Sequence, residues 1–284
     1  MLKKAVIPAA GLGTRLLPIT KELPKEMLPV VALTKNGQPC LKPMLQAVFE
    51  QLYGARIREF AFIVGRGKRA IEDHFSPDED FIQNLRNKNK KNLAEELHEF
   101  YQKINNSSIV FINQPKPKGF GDAVRRAASF TGQEKFLIQA GDDLIISKNS
   151  NHLERAVETF EEYDADAIFL LEEVSDPRKY GVITGKAIKP GIFKVTSIAE
   201  KPLTPPSNLV IVALYIFKPI IYKAIKKAKP DENGEIQLTD AIKLLLAWNC
   251  QVYGLKLKPN ERRIDIGTAK SYLEMLKSTV IGKH

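Results

Sequence analysis

The chain has 284 residues with a formal net charge of +10, 43 Lys and Arg against 33 Asp and Glu, and two cysteines. That length buries one core with appendages, and the charge asks for anionic partners; Lys and Arg are scattered through predicted helices, and the one dense cluster, Lys88-Asn89-Lys90-Lys91, reads as a solvated loop rather than a nucleic-acid patch. Cys40 and Cys250 exclude a disulfide framework and a Cys/His metal site, and with no apolar signal segment or bilayer-length run the expectation is a soluble cytoplasmic protein acting on phosphorylated small molecules.

Ala5, Val6 and Ile7 read as the end of a buried strand, and Ala9-Ala10-Gly11-Leu12-Gly13-Thr14 follows as a backbone with almost no side-chain bulk. Successive exposed N–H groups there make an anion nest, and Arg15 and Lys25 add positive charge where a polyphosphate would lie. The dinucleotide fingerprint fails because its third glycine would be Leu16, and the Gly-Lys-Ser/Thr of a Walker loop is absent. A lone Gly-x-Gly also serves as an ordinary turn, but Pro18, Pro24 and Pro29 stiffen the excursion that carries Arg15 and Lys25. Thr34 to Leu41 is polar and contains Asn36-Gly37, a hairpin-type turn. Pro43 opens a helical pattern through Met44, Leu45, Val48, Phe49 and Leu52 that Gly54 closes, and Phe60 to Val64 is a strand. Strand, helix, strand in that order predict an α/β fold with a parallel sheet.

Lys68 to Phe75 is helical by pattern, Ser76 to Asn92 is acidic and polar, and Leu93, Leu97, Phe100, Tyr101 and Ile104 resume helical spacing. The strand Ile109 to Ile112 runs into Gln114 and a Gly119-Phe120-Gly121-Asp122 loop; a polar amide and glycines at a sheet's carboxyl edge are where open α/β sheets bind ligands. Phe136 to Ala140 is a strand with Asp142 and Asp143 at its end. Neighbouring strand residues point to opposite sides, so at most one of these aspartates faces a given ligand. A helix around Leu153 to Phe160, strands at Ala167 to Leu171, Val210 to Phe217 and Val252 to Leu257, and a helix from Ala241 to Trp248 capped by Thr239 or Asp240 follow. Thr268 caps the last helix.

The segment Gly11-x-Gly13-Thr14-Arg15-x-x-Pro18-x-Thr20-x-x-x-Pro24-Lys25-Glu26-Met27-Leu28-Pro29 resembles the signature of the sugar-1-phosphate nucleotidylyltransferases, most closely the bacterial and archaeal UTP–glucose-1-phosphate uridylyltransferases. Five separated segments in the family's order carry the resemblance over nearly the whole chain. It implies a Rossmann-like three-layer sandwich of the nucleotidyltransferase and glycosyltransferase-A kind, with a mixed, mostly parallel sheet. A catalytic domain at 1–240 and a small C-terminal helical extension at 241–284, packed on the same domain, are expected. None of the hexapeptide repeats of an appended left-handed β-helix is seen.

By resemblance, Ala9, Ala10, Gly11, Gly13, Thr14, Arg15 and Lys25 bind the nucleotide. Gln114 presents its amide to a pyrimidine, donating and accepting at once, while Gly119 and Gly121 let the base approach the backbone. Asp122 stands where the uridylyltransferases often carry His, which touches only local contacts. Gly181 approaches the sugar, Glu200 accepts from its hydroxyls, and Lys201 pairs with its phosphate; without the resemblance, Glu200-Lys201-Pro202 would read as an exposed turn. Mg²⁺ is held by Asp142 and Asp265 together with substrate phosphate oxygens. Ala10, where thymidylyltransferases usually have glycine, and the Pro24-Lys25-Glu26-Met27 wording tilt the nucleotide towards UTP.

The implied reaction is in-line attack of glucose 1-phosphate on the α-phosphorus of UTP, giving UDP-glucose and pyrophosphate. Arg15, Lys25 and Lys201 supply the catalytic cations. No Ser-His-Asp or Cys-His pairing suggests a covalent intermediate. The resemblance also implies a homo-oligomer, dimer or tetramer, with no nucleic-acid or membrane partner. A dTTP-using thymidylyltransferase of the same fold is the nearest alternative, and a non-catalytic nucleotide-sugar-binding or nucleic-acid-binding protein is the alternative from another class.

Overall fold

Alternation along the first strand already assigns two apolar faces. In the computed structural model, which describes residues 2–148 and 151–278, β1 (Lys4–Pro8) sends Ala5 and Ile7 into one hydrophobic cluster and Val6 into another. The chain then makes short 3₁₀ turns and a hairpin, β2 (Pro29–Leu33) and β3 (Pro39–Pro43), whose Asn36-Gly37 turn matches the sequence expectation, with Gly37 at φ +74°. Helix α1 (Met44–Gly54) leads to β4 (Glu59–Val64), then α2 (Arg69–His74), α3 (Glu79–Asn87) and α4 (Lys91–Asn105). Next come β5 (Ser108–Asn113), α5 (Phe120–Arg126), α6 (Ala128–Thr131), β6 (Phe136–Gln139) and β7 (Asp143–Ile146). After α7 (Asn151–Glu162) follow β8 (Ala167–Glu173), the hairpin β9 (Gly181–Lys189) and β10 (Ile192–Glu200), and β11 (Leu209–Phe217). The last described elements are α8 (Ile220–Lys227), α9 (Leu238–Ala247), β12 (Val252–Lys256), β13 (Arg262–Asp265) and α10 (Ala269–Ser278).

Nine strands form one sheet in the order β5-β4-β1-β6-β11-β8-β12-β10-β9. Only β11 and β10 run against the others, so the sheet is mixed and mostly parallel. Phe60, Phe62 and Leu137 join α1, α4 and α7 on one face, while Ala61, Ile63, Phe136 and Ile138 join α5, α8 and α9 on the other. This is the expected three-layer α/β sandwich. In α1 the buried Leu45, Val48, Phe49 and Leu52 recur at helical spacing, which is why this segment packs as one stripe.

Three expectations need correction. Ser76 to Asn92 contains α3, whose N-terminus is capped by Asp78 accepting from Phe81 N at 2.8 Å; its short apolar face, Phe81, Ile82 and Leu85, lies among acidic and amide residues and was passed over, and only Ile82 is fully buried. Asp143 is not at the end of the Phe136 strand, which closes at Gln139; it opens β7, which pairs antiparallel with β13. Neither Thr239 nor Asp240 caps α9; Gln237 occupies that position without a side-chain bond, and Thr239 is engaged elsewhere. Thr268 does cap α10, exchanging bonds with Ser271 in both directions at 3.1 Å. The 241–284 stretch supplies β12 between β8 and β10 inside the sheet, and its last residues lie outside the described ones. No helix among the described residues is long and apolar enough to cross a membrane.

Candidate active site

From β1 the sheet continues through β4 on one side and β6 on the other, so the crevice at their carboxyl ends is a topological switch point. Residues 9–28 leave β1 directly into it. Ala9 and Ala10 are buried, and Gly13 sits at φ +67° with its carbonyl accepting from Thr20 Oγ1 at 2.8 Å. A Cβ at Gly13 would stand 3.0 Å from that of Thr20, so both backbone sign and space require glycine. Thr14–Leu16, Ile19–Lys21 and Lys25–Met27 are each a single 3₁₀ turn, and this folded arm carries Arg15 and Lys25.

Lys25 Nζ donates to Asp142 Oδ2 at 2.5 Å. Burial works against the Lys25 ammonium, but the charges of Asp142, Glu26 and Asp265 outweigh it and raise its pKa. Asp143 turns the other way, as two successive residues entering a strand must, and takes Arg263 Nη2 at 2.6 Å. Pairing of β7 with β13 sets Asp265 opposite Asp143, with Ile266 N donating to the Asp142 carbonyl at 3.3 Å. Asp265 Oδ1 accepts from Gly267 N at 2.8 Å, and Arg15 reaches the same turn: a Cβ on Gly267 would lie 3.2 Å from Arg15 Nη2. Arg15, Lys25, Asp142 and Asp265, separated widely in sequence, thus meet in one place.

Beside them lies a second ion pair that sequence reasoning missed. Lys68 Nζ donates to Glu26 Oε2 at 2.7 Å with both side chains buried. Burial pushes the Glu26 carboxyl up in spite of Lys68. The signal was available: Lys68 follows the Gly65-Arg66-Gly67 loop at the carboxyl end of β4, the edge where ligands bind. Arg263 was also overlooked, although it lies two residues before Asp265 and therefore on the same face of β13.

On the β5 side, Gln114 is buried, with its backbone N–H donating to the Val64 carbonyl at 2.8 Å. Gly119, at φ +89°, and Gly121 were read as leaving room for a base. Their Cβ directions are instead filled by this chain: added Cβ atoms would stand 2.8 and 2.7 Å from the Ile236 carbonyl oxygen. Gly121 N donates to that oxygen, and Ile236 N donates to the Lys118 carbonyl, so the glycines dock segment 234–237 against the loop.

At the far strands, β9 starts with Gly181 and β10 ends with Glu200, and the two pair in register. Glu200 Oε2 accepts from Thr239 Oγ1 at 2.9 Å, while Lys201 Nζ lies 3.1 Å from Glu200 Oε1. A Cβ on Gly181 would stand 2.9 Å from Thr239 Cγ2. Thr239 is thus a further member of this corner, hidden in sequence because a Thr at a helix start reads as a cap. Lys201 has φ +41°, a left-handed conformation that costs a non-glycine residue about 1–3 kcal/mol. Its N–H donates to the Tyr180 carbonyl at 3.0 Å, which fixes the side chain's point of departure.

Asp142 and Asp265, joined where Ile266 N donates to the Asp142 carbonyl and both within the field of Lys25, offer hard carboxylate oxygens without nitrogen or sulfur donors, chemistry that suits Mg²⁺ completed by phosphate oxygens. The Asp142 charge is met by the Lys25 ammonium, so a phosphate arriving at Lys25 and a cation arriving at Asp142 would each replace one partner of the pair.

Residues 4–280 match the nucleotidyl transferase family. The UTP–glucose-1-phosphate uridylyltransferase of Pseudomonas aeruginosa is 35% identical over 279 residues, 96% of this chain and 94% of that one. A UDP-glucose pyrophosphorylase solved in complex with UDP-glucose matches with a TM-score of 0.84 at 32% identity, covering 98% of both chains. A UTP-bound enzyme from Acinetobacter baumannii matches with a TM-score of 0.84 at 29% identity, covering 98% of this chain and 93% of that one.

Proposed function

We propose that this chain, which belongs to the nucleotidyl transferase family, transfers the uridylyl group of UTP to glucose 1-phosphate, releasing UDP-glucose and pyrophosphate. The observation that supports it most is the convergence of Arg15 and Lys25 with Asp142 and Asp265 at the switch point, while Gly181, Glu200, Lys201 and Thr239 gather at the far strands. One half suits a triphosphate and the other a sugar phosphate.

In this reading a phosphate oxygen of the sugar phosphate forms a bond to the α-phosphorus as the bond to the bridging oxygen of pyrophosphate breaks. Arg15 and Lys25 hold the triphosphate and take up the charge that grows on the leaving group. Lys201 steers the attacking phosphate, and Glu200 accepts from sugar hydroxyls with Thr239 fixing its second oxygen. Asp142 and Asp265 would hold Mg²⁺, which supplies charge neutralisation between the two substrates when bound. A reducing cytoplasm suits the two free thiols, and a dimer or tetramer belongs to the same reading. Light scattering on the purified chain tests the latter, and a monomer would remove it.

The activity is tested by incubating the chain with each nucleoside triphosphate, a panel of sugar 1-phosphates and Mg²⁺ while measuring pyrophosphate. UTP with glucose 1-phosphate should give the highest kcat/KM. Preference for dTTP would make it a thymidylyltransferase, and no release from any pair would leave a binding protein.

Lys201→Ala should weaken glucose 1-phosphate binding and lower turnover while leaving UTP affinity nearly intact. Calorimetric titration of each substrate into the variant checks this; an equal loss for UTP would move Lys201 to the nucleotide half.

A further inference from the structure

The Gln114 amide is held from within by acceptors alone. Its Nε2 donates to Asp122 Oδ2 at 2.9 Å and to the Gly119 carbonyl at 3.2 Å. Neither partner has a proton to give, so chemistry decides which end of the amide points inward. Asp122 cannot turn away, because it is fully buried with Arg125 Nη2 donating to Oδ1 at 2.6 Å and Arg126 Nε to Oδ2 at 3.5 Å. Burial pushes the Asp122 carboxyl up, but the bonds from Gln114 and Arg125 and the charge of Arg126 outweigh it and hold it below the usual carboxylate range. It therefore stays an acceptor. Both Nε2 protons are used inside the chain, whereas no described group donates to Gln114 Oε1, and that atom is not sealed from solvent.

We propose that Asp122 sets base specificity: by fixing the Gln114 amide with Oε1 outward, it selects pyrimidines that present a ring N–H and rejects cytosine, whose corresponding nitrogen is itself an acceptor. The inference deepens the proposed function and rests on Gln114 being the residue that meets the base. It narrows the sequence expectation, in which the amide both donated and accepted towards the base; the donor half is spent on Asp122 and Gly119. It also gives Asp122 a role beyond local contacts. Uracil and thymine share the ring N–H, so this device excludes CTP and leaves the choice between UTP and dTTP to other residues. With cytosine, lone pair would face lone pair, and a buried acceptor left unpaired is what makes a polar site reject an isostere.

Asp122→Asn tests this because an amide can either accept from Gln114 Nε2 or donate to Oε1, which leaves the Gly119 carbonyl as the one remaining acceptor that holds Oε1 outward. The ratio of kcat/KM for UTP over CTP should fall by roughly tenfold or more, the equivalent of about one net hydrogen bond, while turnover with saturating UTP falls far less than that ratio. The unaltered protein should fail to use 3-methyluridine 5′-triphosphate, in which a methyl group replaces the ring N–H. If Asp122→Asn does not fold, Asp122→Ser, whose hydroxyl can accept from Gln114 Nε2 or donate to Oε1, should relax the ratio in the same direction. An unchanged ratio in a folded variant, or use of the 3-methyl nucleotide at the efficiency of UTP, would overturn the proposal. Loss of all pyrophosphate release with every nucleotide in the unaltered protein would instead overturn the uridylyltransferase reading, so the two failures are told apart.

Discussion

Asp142→Asn should lower pyrophosphate release by roughly 10²–10³-fold, in the range seen when one preorganised electrostatic partner is removed from a reacting centre, while Asp143→Asn should leave most of the activity in place. The two aspartates are neighbours in sequence but not in surroundings. Asp142 faces Lys25 and the phosphate loop, whereas Asp143 faces Arg263 beneath it. The amide at 142 keeps the shape and loses the charge that holds Lys25 now and that would hold a divalent cation during turnover. Its defect should therefore appear in turnover and in a raised Mg²⁺ requirement, with a smaller fall in melting temperature than Asp143→Asn gives, because Glu26 and Asp265 still face the Lys25 ammonium. Asp143→Asn should do the reverse. Burial pushes the Asp143 carboxyl up to about 6 even with Arg263 beside it. Pyrophosphate release measured across Mg²⁺ concentrations, with thermal melts alongside, separates the two. Wild-type activity for Asp142→Asn together with collapse for Asp143→Asn would reverse the assignment.

Sequence legibility followed chain locality. The folded arm that carries Arg15 and Lys25 was readable because its glycines, prolines and cations lie within one short stretch, and the opposed directions of Asp142 and Asp143 because the two-residue period alone forces them apart. What could not be read were partners set by long-range pairing. Arg263 meets Asp143 only because β13 pairs with β7, and Lys68 meets Glu26 only because β4 lies beside β1. Gly119 and Gly121 show the same limit in another form: a glycine announces close approach, but not whether a ligand or the chain itself approaches. Gln114 could be chosen as a base reader from its place after β5, yet the direction of its amide depended on Asp122, one turn into the next helix.

Arg263 is the residue whose removal the fold should tolerate least. Its guanidinium lies within 2.6 Å of Asp143, 3.7 Å of Asp265 and 3.9 Å of Glu172, and sits 5.5 Å from the centre of the Tyr180 ring, joining these carboxylates to the residue just before β9. Burial works against the Arg263 cation, but these carboxylates outweigh it and raise its pKa, so it stays charged, and burial pushes the Glu172 carboxyl up despite it. Arg263→Met keeps the apolar stem and deletes the one cation these three acids share among the described residues. Removing one partner of a buried pair costs about 3–5 kcal/mol because the remaining charge is stranded. For a chain of this size that corresponds to a fall of roughly 5–8 °C in melting temperature. Arg263→Lys should recover only part of the loss, since an ammonium cannot fork between two acids or stack on Tyr180. Adding Asp143→Leu to Arg263→Met should restore stability towards wild type, because an apolar pair of similar volume strands no charge there. Activity need not return with it, as Asp265 would still lack the guanidinium that holds its second oxygen. Differential scanning calorimetry on the four proteins checks the series, and a single Arg263→Met variant that melts with wild type would show that the acids are neutralised by protons or solvent instead.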